Sequence, residues 1–333
     1  MLGNLGLLAE RQGEFDRARE AIEHSLEIGR ELGKAHLEAV RLNNLGLVAV
    51  RQADHAVARD AFRQGCEIAR ERDLPRQEAN AHNGLGHVAR LQGRYEEARE
   101  HHEQGLAITR EIGHPRRLAD SLNKLGLVAV REEDCGEAEQ FFERALAETR
   151  EIDHPHEEVI ALLGLGTVAR FRGDHDRAEA YLEDALERGE ATGDRMLGEL
   201  TRLTEARLAL DCGEHGRARE LGRAVEAAFT GMGARQWAAR SRRLLGEVAA
   251  ATGSPQAARE QWRAALETFE AVDAPHDALA TIQLLAELDE SGDDGGSTDV
   301  ADAAEWRRRA RSVAADAPPE VVERYRGLLR DQG

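Results

Sequence analysis

Apolar positions along this chain follow two superposed periods. Within short windows they fall three or four apart, as in Leu42, Leu45, Val48 and Ala49 or Leu122, Leu125, Val128 and Ala129, which is the spacing of one buried helix face. Over longer distances whole windows return. Leu122-Asn123-Lys124-Leu125-Gly126-Leu127-Val128-Ala129-Val130 nearly copies Leu42-Asn43-Asn44-Leu45-Gly46-Leu47-Val48-Ala49-Val50, and His82-Asn83-Gly84-Leu85-Gly86-His87-Val88-Ala89-Arg90 falls midway between them, so the long period is forty residues. Leu5-Gly6, Leu165-Gly166 and Leu245-Gly246 keep that register, with Glu205-Ala206 in the remaining place. Two alanine columns run in step, one from Ala9 to Ala249 and one from Ala18 to Ala258. A fixed repeat of this length predicts units that cannot bury their apolar faces alone and must stack on their neighbours.

Each unit reads as a pair of helices. In residues 75–113, Pro75 restricts Leu74 and presets a first helical turn, so a helix is predicted to about Gln92. Gly93 permits a tight turn, and Tyr95, Ala98 and His102 mark one face of a second helix ending near Gly113. The junctions are periodic too, at Gly33, Asp73, Gly113, Asp153, Gly193, Gly233 and Asp273, with proline two positions later at Pro75, Pro115, Pro155 and Pro275. Glycine there caps a helix in the left-handed conformation, and Asp is a workable substitute. The expected division is one solenoid over residues 1–290, with repeats at about 1–33, 34–73, 74–113, 114–153, 154–193, 194–233 and 234–273 and the start of an eighth at 274–290. A flexible acidic loop is expected at 291–298, then capping helices over 299–333, one from about Asp299 to Ala315 and one from about Pro319 to Arg330. Met1 falls inside a first helix, which leaves two readings, a shortened cap or the continuation of a longer parent chain.

Composition narrows the function. The 333 residues carry a formal net charge of −18, and lysine occurs only at Lys34 and Lys124. Such a surface repels phosphate backbones, which argues against nucleic-acid binding by this chain alone. The composition fits a GC-rich coding sequence, which favours Arg, Ala and Gly, or a salt-rich cytoplasm, where acidic surfaces keep proteins soluble. No apolar run is long enough for a membrane span and no secretory signal is visible, so a soluble, cytoplasmic protein without membrane partners is expected. Three widely spaced cysteines without a CxxC argue against a disulfide framework or a thiolate metal site.

With its columns laid out, the chain resembles the tetratricopeptide repeat (TPR) family. Leu-Gly and the second-helix alanine are present almost throughout, and the Leu-Asn-Asn-Leu-Gly run with junctions such as Ile112-Gly113-His114-Pro115 is similar to the forty-residue repeats of kinesin light chain and of prokaryotic signalling proteins. The resemblance covers about residues 1–290. It implies an all-α, right-handed α-α superhelical solenoid of about seven to eight helical hairpins. It also implies a non-enzymatic role, holding a peptide or helix of a partner protein along the concave face built by the first helices.

On that reading the inward columns are Asn43, Asn83 and Asn123 and, four residues on, Leu47, His87 and Leu127. A carboxamide ladder can grip an extended backbone because each rung offers a donor and an acceptor; the same residues can equally crosslink neighbouring helices. Arg51, Arg90, Arg131 and Arg170 close the first helices, where they would clamp acidic groups of a partner or simply meet the negative end of the helix dipole.

Other chemistry is thinly written. His101-His102 and His154-Pro155-His156 are the nearest approaches to metal clusters, and neither has the i, i+4 histidine pairing with a carboxylate base that a helical zinc site needs, so no metal or cofactor is expected. Cys66 reads as a packing residue. Gly84-Leu85-Gly86 has neither the strand nor the third glycine of a phosphate loop. Trp306-Arg307-Arg308-Arg309 is the one concentrated basic stretch and reads as a solvated helix face. The remaining expectation, of a different kind, is that the array is the regulatory or sensor arm of a larger signalling ATPase or transcription regulator.

Overall fold

A computed structural model describes residues 14–291 and 300–329. The helix expected around Leu2, Leu5, Gly6 and Ala9 lies outside those residues, as does the loop expected at 291–298 apart from Ser291, which ends a helix. Among the described residues every regular element is an α-helix. They run in order as α1 (Phe15–Glu31), α2 (Ala35–Arg51), α3 (His55–Glu71), α4 (Pro75–Leu91), α5 (Tyr95–Ile112), α6 (Pro115–Arg131), α7 (Cys135–Glu151), α8 (Pro155–Phe171), α9 (His175–Glu190), α10 (Arg195–Asp211), α11 (His215–Gly231), α12 (Arg235–Ala251), α13 (Pro255–Ala271), α14 (Pro275–Ser291), α15 (Val300–Ala315), α16 (Pro319–Arg324) and α17 (Arg326–Leu329). Even-numbered helices from α2 to α14 are the first helices of the repeats. The helix expected over 319–330 is broken at Tyr325, whose φ of −102° and ψ of 18° step out of helical geometry.

The described residues divide into two compact units, the first comprising 14–90 and 95–208 and the second 91–94, 209–291 and 300–329. A division inside the array was not anticipated from the unbroken forty-residue register.

In the first unit the helix stops follow the residues that predicted them, and the starts add side-chain caps that the columns did not announce. Asp54, Asp134 and Asp174 accept hydrogen bonds from the backbone amides of Val57, Glu137 and Arg177 at 3.3, 2.8 and 3.3 Å, satisfying helix-start donors. At the stops, Gly113 and Asp153 take left-handed φ values of 62° and 49°. The core is built by second-helix aromatics wedged between glycines of successive first helices. A Cβ at Gly126 would lie 2.7 Å from the Phe142 ring, and one at Gly164 would lie 2.4 Å from it. Only bare backbone lets α6 and α8 close on the same phenylalanine. Phe142 then joins Leu122, Leu125, Leu162 and Leu165 in one buried cluster.

In the second unit Ala209, Ala218 and Val248 pack together, and Trp262 occupies the aromatic position, donating its indole N–H to the Arg243 carbonyl at 3.0 Å. The basic stretch on α15 is docked rather than solvated. Trp306 is buried and donates to Asp289 Oδ2 at 2.7 Å, while Arg309 makes paired bonds of 2.7 and 2.6 Å to Glu270. Glu270 on α13 and Glu290 on α14 are why Arg309 and Arg307 lie down, while Arg308 stays exposed.

Candidate partner-binding face of the first unit

The first helices of the first unit curl far enough for distant repeats to meet. Arg51 at the end of α2 comes within 3.9 Å of Asp194, which caps α10 by accepting from the Leu197 amide at 3.1 Å. His156 on α8 stands 3.7 Å from the same carboxylate. Side chains on α2, α8 and α10 therefore face one another, and the side of the first helices that carries them is the inner face.

The carboxamide row does not lie on that face. Asn43, Asn83 and Asn123 are 4%, 4% and 1% exposed. Asn43 donates to the Gln77 carbonyl at 3.0 Å and Asn123 to the Glu157 carbonyl at 2.9 Å, each reaching the first turn of the next first helix. Asn83 departs from the pattern, donating to Asp120 Oδ2 and Ser121 Oγ at 3.1 Å each, with His102 Nδ1 3.4 Å from its carbonyl oxygen. Of the two uses open to the asparagines, the structure displays the crosslink, because a carboxamide in a helix junction has its donor claimed by the adjoining backbone. As rungs for a partner they are corrected.

The column four residues on does keep surface. Leu47 is 42% exposed, and His87, Leu127 and Thr167 are half-buried. His87 is hemmed in despite its residual surface, as a side chain on a concave floor is. Burial, and then the charges of Arg90, Lys124 and Arg51, hold its imidazole well below the usual range. Three cations thus lie near one neutral histidine, two of them beside carboxylates of the same face, Lys124 by Asp120 and Arg51 by Asp194.

The four arginines divide. Arg51, Arg90, Arg131 and Arg170 all stand in the last turns of their helices, where the dipole favours them. Arg90 is buried, Arg51 approaches Asp194, and Arg170 stacks on the Phe171 ring at 4.5 Å. Arg131 is half-buried.

A buried polar group that the sequence did not disclose lies beside this column. Lys124 and Asp120 are ion-paired on α6, and Arg117 donates to Asn80 Oδ1. Burial raises the Asp120 carboxyl, but Lys124, Arg117 and His156 outweigh it and leave it below the ordinary carboxylate range. Glu157 is pushed up to about 7, first by burial and then by the Asp120 charge. His156 is lowered to about 4 by burial and by Arg51 and Arg116, against the pull of Asp194 and Asp120. The repeat register gives no signal for this group, because the position of Arg117 and Glu157 varies freely, through Leu37, Gln77, Leu197, Trp237 and Asp277.

A second cluster sits between α3 and α4. Cys66 Sγ lies 3.7 Å from His82 Nε2, Glu78 Oε1 is 4.0 Å from that nitrogen, and His82 Nδ1 lies 3.2 Å from His101 Nδ1. Burial pushes the Cys66 thiol up and, together with His101, lowers His82 to about 4.

The tetratricopeptide repeat profile matches residues 1–71, 77–151 and 119–191, and a second profile of the same description matches 43–109. The chain belongs to the tetratricopeptide repeat family. No curated protein matches the sequence. Among solved structures, the TPR array superposes on a Rap protein complexed with competence and sporulation factor with a TM-score of 0.69 at 16% identity, covering 95% of this chain and 87% of that one. The Rap conjugation gene regulator of plasmid pLS20, in complex with the Phr* peptide, gives 0.69 at 14% identity over 81% of this chain and 73% of that one. A signal transduction ATPase with numerous domains (STAND) from Pyrococcus horikoshii, which carries a tetratricopeptide repeat sensor, gives 0.51 at 16% identity over 97% of this chain and 55% of that one. At these identities the likeness shows the TPR fold. Among the described residues no helix is long and apolar enough to cross a membrane.

Proposed function

We propose that this protein is an interaction scaffold that holds a peptide or helix of a partner protein against the inner face of its first unit. The observation that carries the reading is the Leu47, His87 and Leu127 column, which keeps surface while Arg51, Arg90 and Lys124 gather round its centre in a protein of net charge −18. Apolar ground at Leu47 and Leu127 suits the alternating side chains of an extended segment or one face of a helix. The cations between them suit a carboxylate, so the segment we infer is apolar with an acidic residue. Two structurally similar Rap proteins were solved with a bound factor or peptide, which supports this reading of the fold.

The test is to identify partners by affinity capture and then measure their binding to Leu47→Asp and Leu32→Asp. Leu47 and Leu32 are both exposed, at 42% and 59%, so both variants keep the wild-type melting transition. Leu47→Asp is expected to weaken binding by about 10-fold, the scale of one buried anchor, and Leu32→Asp, at the junction of α1 and α2, to leave it unchanged. Equal binding by all three proteins would remove the inner face from the interaction.

The sensor of the STAND protein favours a second reading, in which this array is the regulatory arm of a larger signalling ATPase or transcription regulator. An in-frame nucleotide-binding domain in the adjoining coding sequence supports it; an intervening stop codon removes it.

A further inference from the structure

The repeat register places one residue of each second helix against one of the following first helix, sixteen positions later. At most junctions the pair is apolar: Leu26 with Leu42, Leu106 with Leu122, Leu146 with Leu162 and Leu266 with Ile282. At another it is an ion pair, Glu226 with Arg242 at 2.9 Å. At the α3–α4 junction it is Cys66 with His82, both buried. A thiol and an imidazole in a slot that leucines fill elsewhere need a polar partner to offset their desolvation. Glu78, one helical turn before His82, supplies a carboxylate, and the ligand atoms of all three lie within 4.8 Å of one another.

The geometry points to a binding site for a thiophilic divalent cation, zinc above all, with Cys66 Sγ, His82 Nε2 and Glu78 Oε1 as ligands. Tetrahedral zinc, with bonds of about 2.3 Å to sulfur and about 2.0 Å to nitrogen, holds those two atoms roughly 3.6 Å apart. Cys66 Sγ and His82 Nε2 stand 3.7 Å apart. Binding through Nε2 requires the ring proton on Nδ1, and His101 Nδ1, at 3.2 Å, is placed to accept it. Such an outer partner fixes both tautomer and ring orientation of a metal-bound histidine. The thiol releases its proton to solvent as sulfur binds, and thiolate plus carboxylate then balance the dication. The fourth position falls to water or to a group from outside, as in sites with three protein ligands.

Arg70 is the competing occupant. Its Nε lies 3.2 Å from Glu78 Oε1 and its Nη2 3.9 Å from Cys66 Sγ, but the side chain is 65% exposed and free to withdraw into water. The same surface pair recurs as Arg30 with Glu38 and Arg150 with Glu158, so it belongs to the repeat rather than to the cluster.

Titration of the full chain with Co(II), followed by competition with Zn(II), tests the site. The expected result is one cobalt per chain with a thiolate-to-cobalt charge-transfer absorption. The double substitution Cys66→Leu and His82→Leu rebuilds the Leu106–Leu122 pair, keeps the fold, and should abolish that band while Cys135 and Cys212 remain. His101→Ala should weaken binding by about 10-fold, and Arg70→Ala should tighten it by about 3-fold. Absence of the band from the wild-type protein would overturn the proposal, whatever the variants do. An undiminished band in a folded double variant would overturn it as well. Should that variant fail to fold, Glu78→Gln takes its place, with weaker binding expected and unchanged binding contradicting the site.

Discussion

The two units solve one packing problem with different chemistry. In the first, Asn123 reaches thirty-four residues ahead to the Glu157 carbonyl; in the second, Arg243 makes the same step to Asp277, at 3.4 Å to Oδ1. Glu157 and Asp277 hold the same place in the first turn of their helices. In the first unit the clasp takes the backbone oxygen, and burial and then the Asp120 charge raise the pKa of the carboxyl beside it. In the second unit the carboxylate is itself the clasp, taking 2.9 and 2.6 Å bonds from Arg240 and one of 3.2 Å from Gln236, while the Arg240 guanidinium lies 4.3 Å from the Trp237 ring. The register of a solenoid thus constrains where neighbouring first helices must be tied, and leaves open whether a neutral amide or an ion pair ties them.

The largest effect is expected where that difference is greatest. Asp277→Ala strands the buried Arg240 guanidinium and should cost about 3–5 kcal/mol in urea unfolding. Asn123→Ala should cost far less, about 1 kcal/mol, since a neutral bond is lost and no charge is stranded. Comparable losses would erase the distinction between the clasps. A second contrast lies within the first unit. Gly164→Ala drives a Cβ to 2.4 Å from Phe142 and should cost about 1–3 kcal/mol. Gly166→Ala meets the more flexible Leu182 at 3.1 Å and should be close to neutral, because alanine's helix preference of about 0.5–1 kcal/mol offsets the contact.

The stranded carboxyl gives the smaller, pH-dependent prediction. With a folded pKa of about 7 against an ordinary value of 4.5, Glu157 binds its proton more tightly in the folded state. Its contribution is fully present below pH 4.5 and is lost as pH rises through about 7. Stability measured for Glu157→Gln relative to wild type should therefore rise by about 1 kcal/mol or more between those limits. A flat difference would mean that the carboxyl is solvated. Comparing against the variant isolates this group from His82 and His156, whose lowered pKa values contribute stability that rises with pH over a similar range.

Much of the fold was legible because the columns encode contacts between neighbours. Leu-Gly, the alanine columns and the junction residues marked the helices and their stops almost to the residue. The face presented by Asn43 and Asn123 was not legible, since the same i, i+4 stripe that carries Leu47 also touches the helix junction. A rotation of one residue decides between groove and interior, and only packing sets it. The Cys66, His82 and Glu78 cluster escaped because its members are sixteen and four positions apart on two helices. A search for adjacent histidines finds His101-His102 instead. Comparing each residue with its equivalents forty positions away would have exposed Cys66 and His82 as departures from an apolar pair.

The account depends most on the inner face of the first unit being where a partner lies. Its most direct measurement is photo-crosslinking from a benzophenone amino acid placed at Leu47 and, separately, at Leu32, with captured partner peptides sequenced. The expected outcome is adducts from Leu47 to an apolar partner segment bearing an acidic residue, with Leu32 yielding none above background. Adducts from Leu32 alone, or equally from both, would place the partner elsewhere and contradict the account.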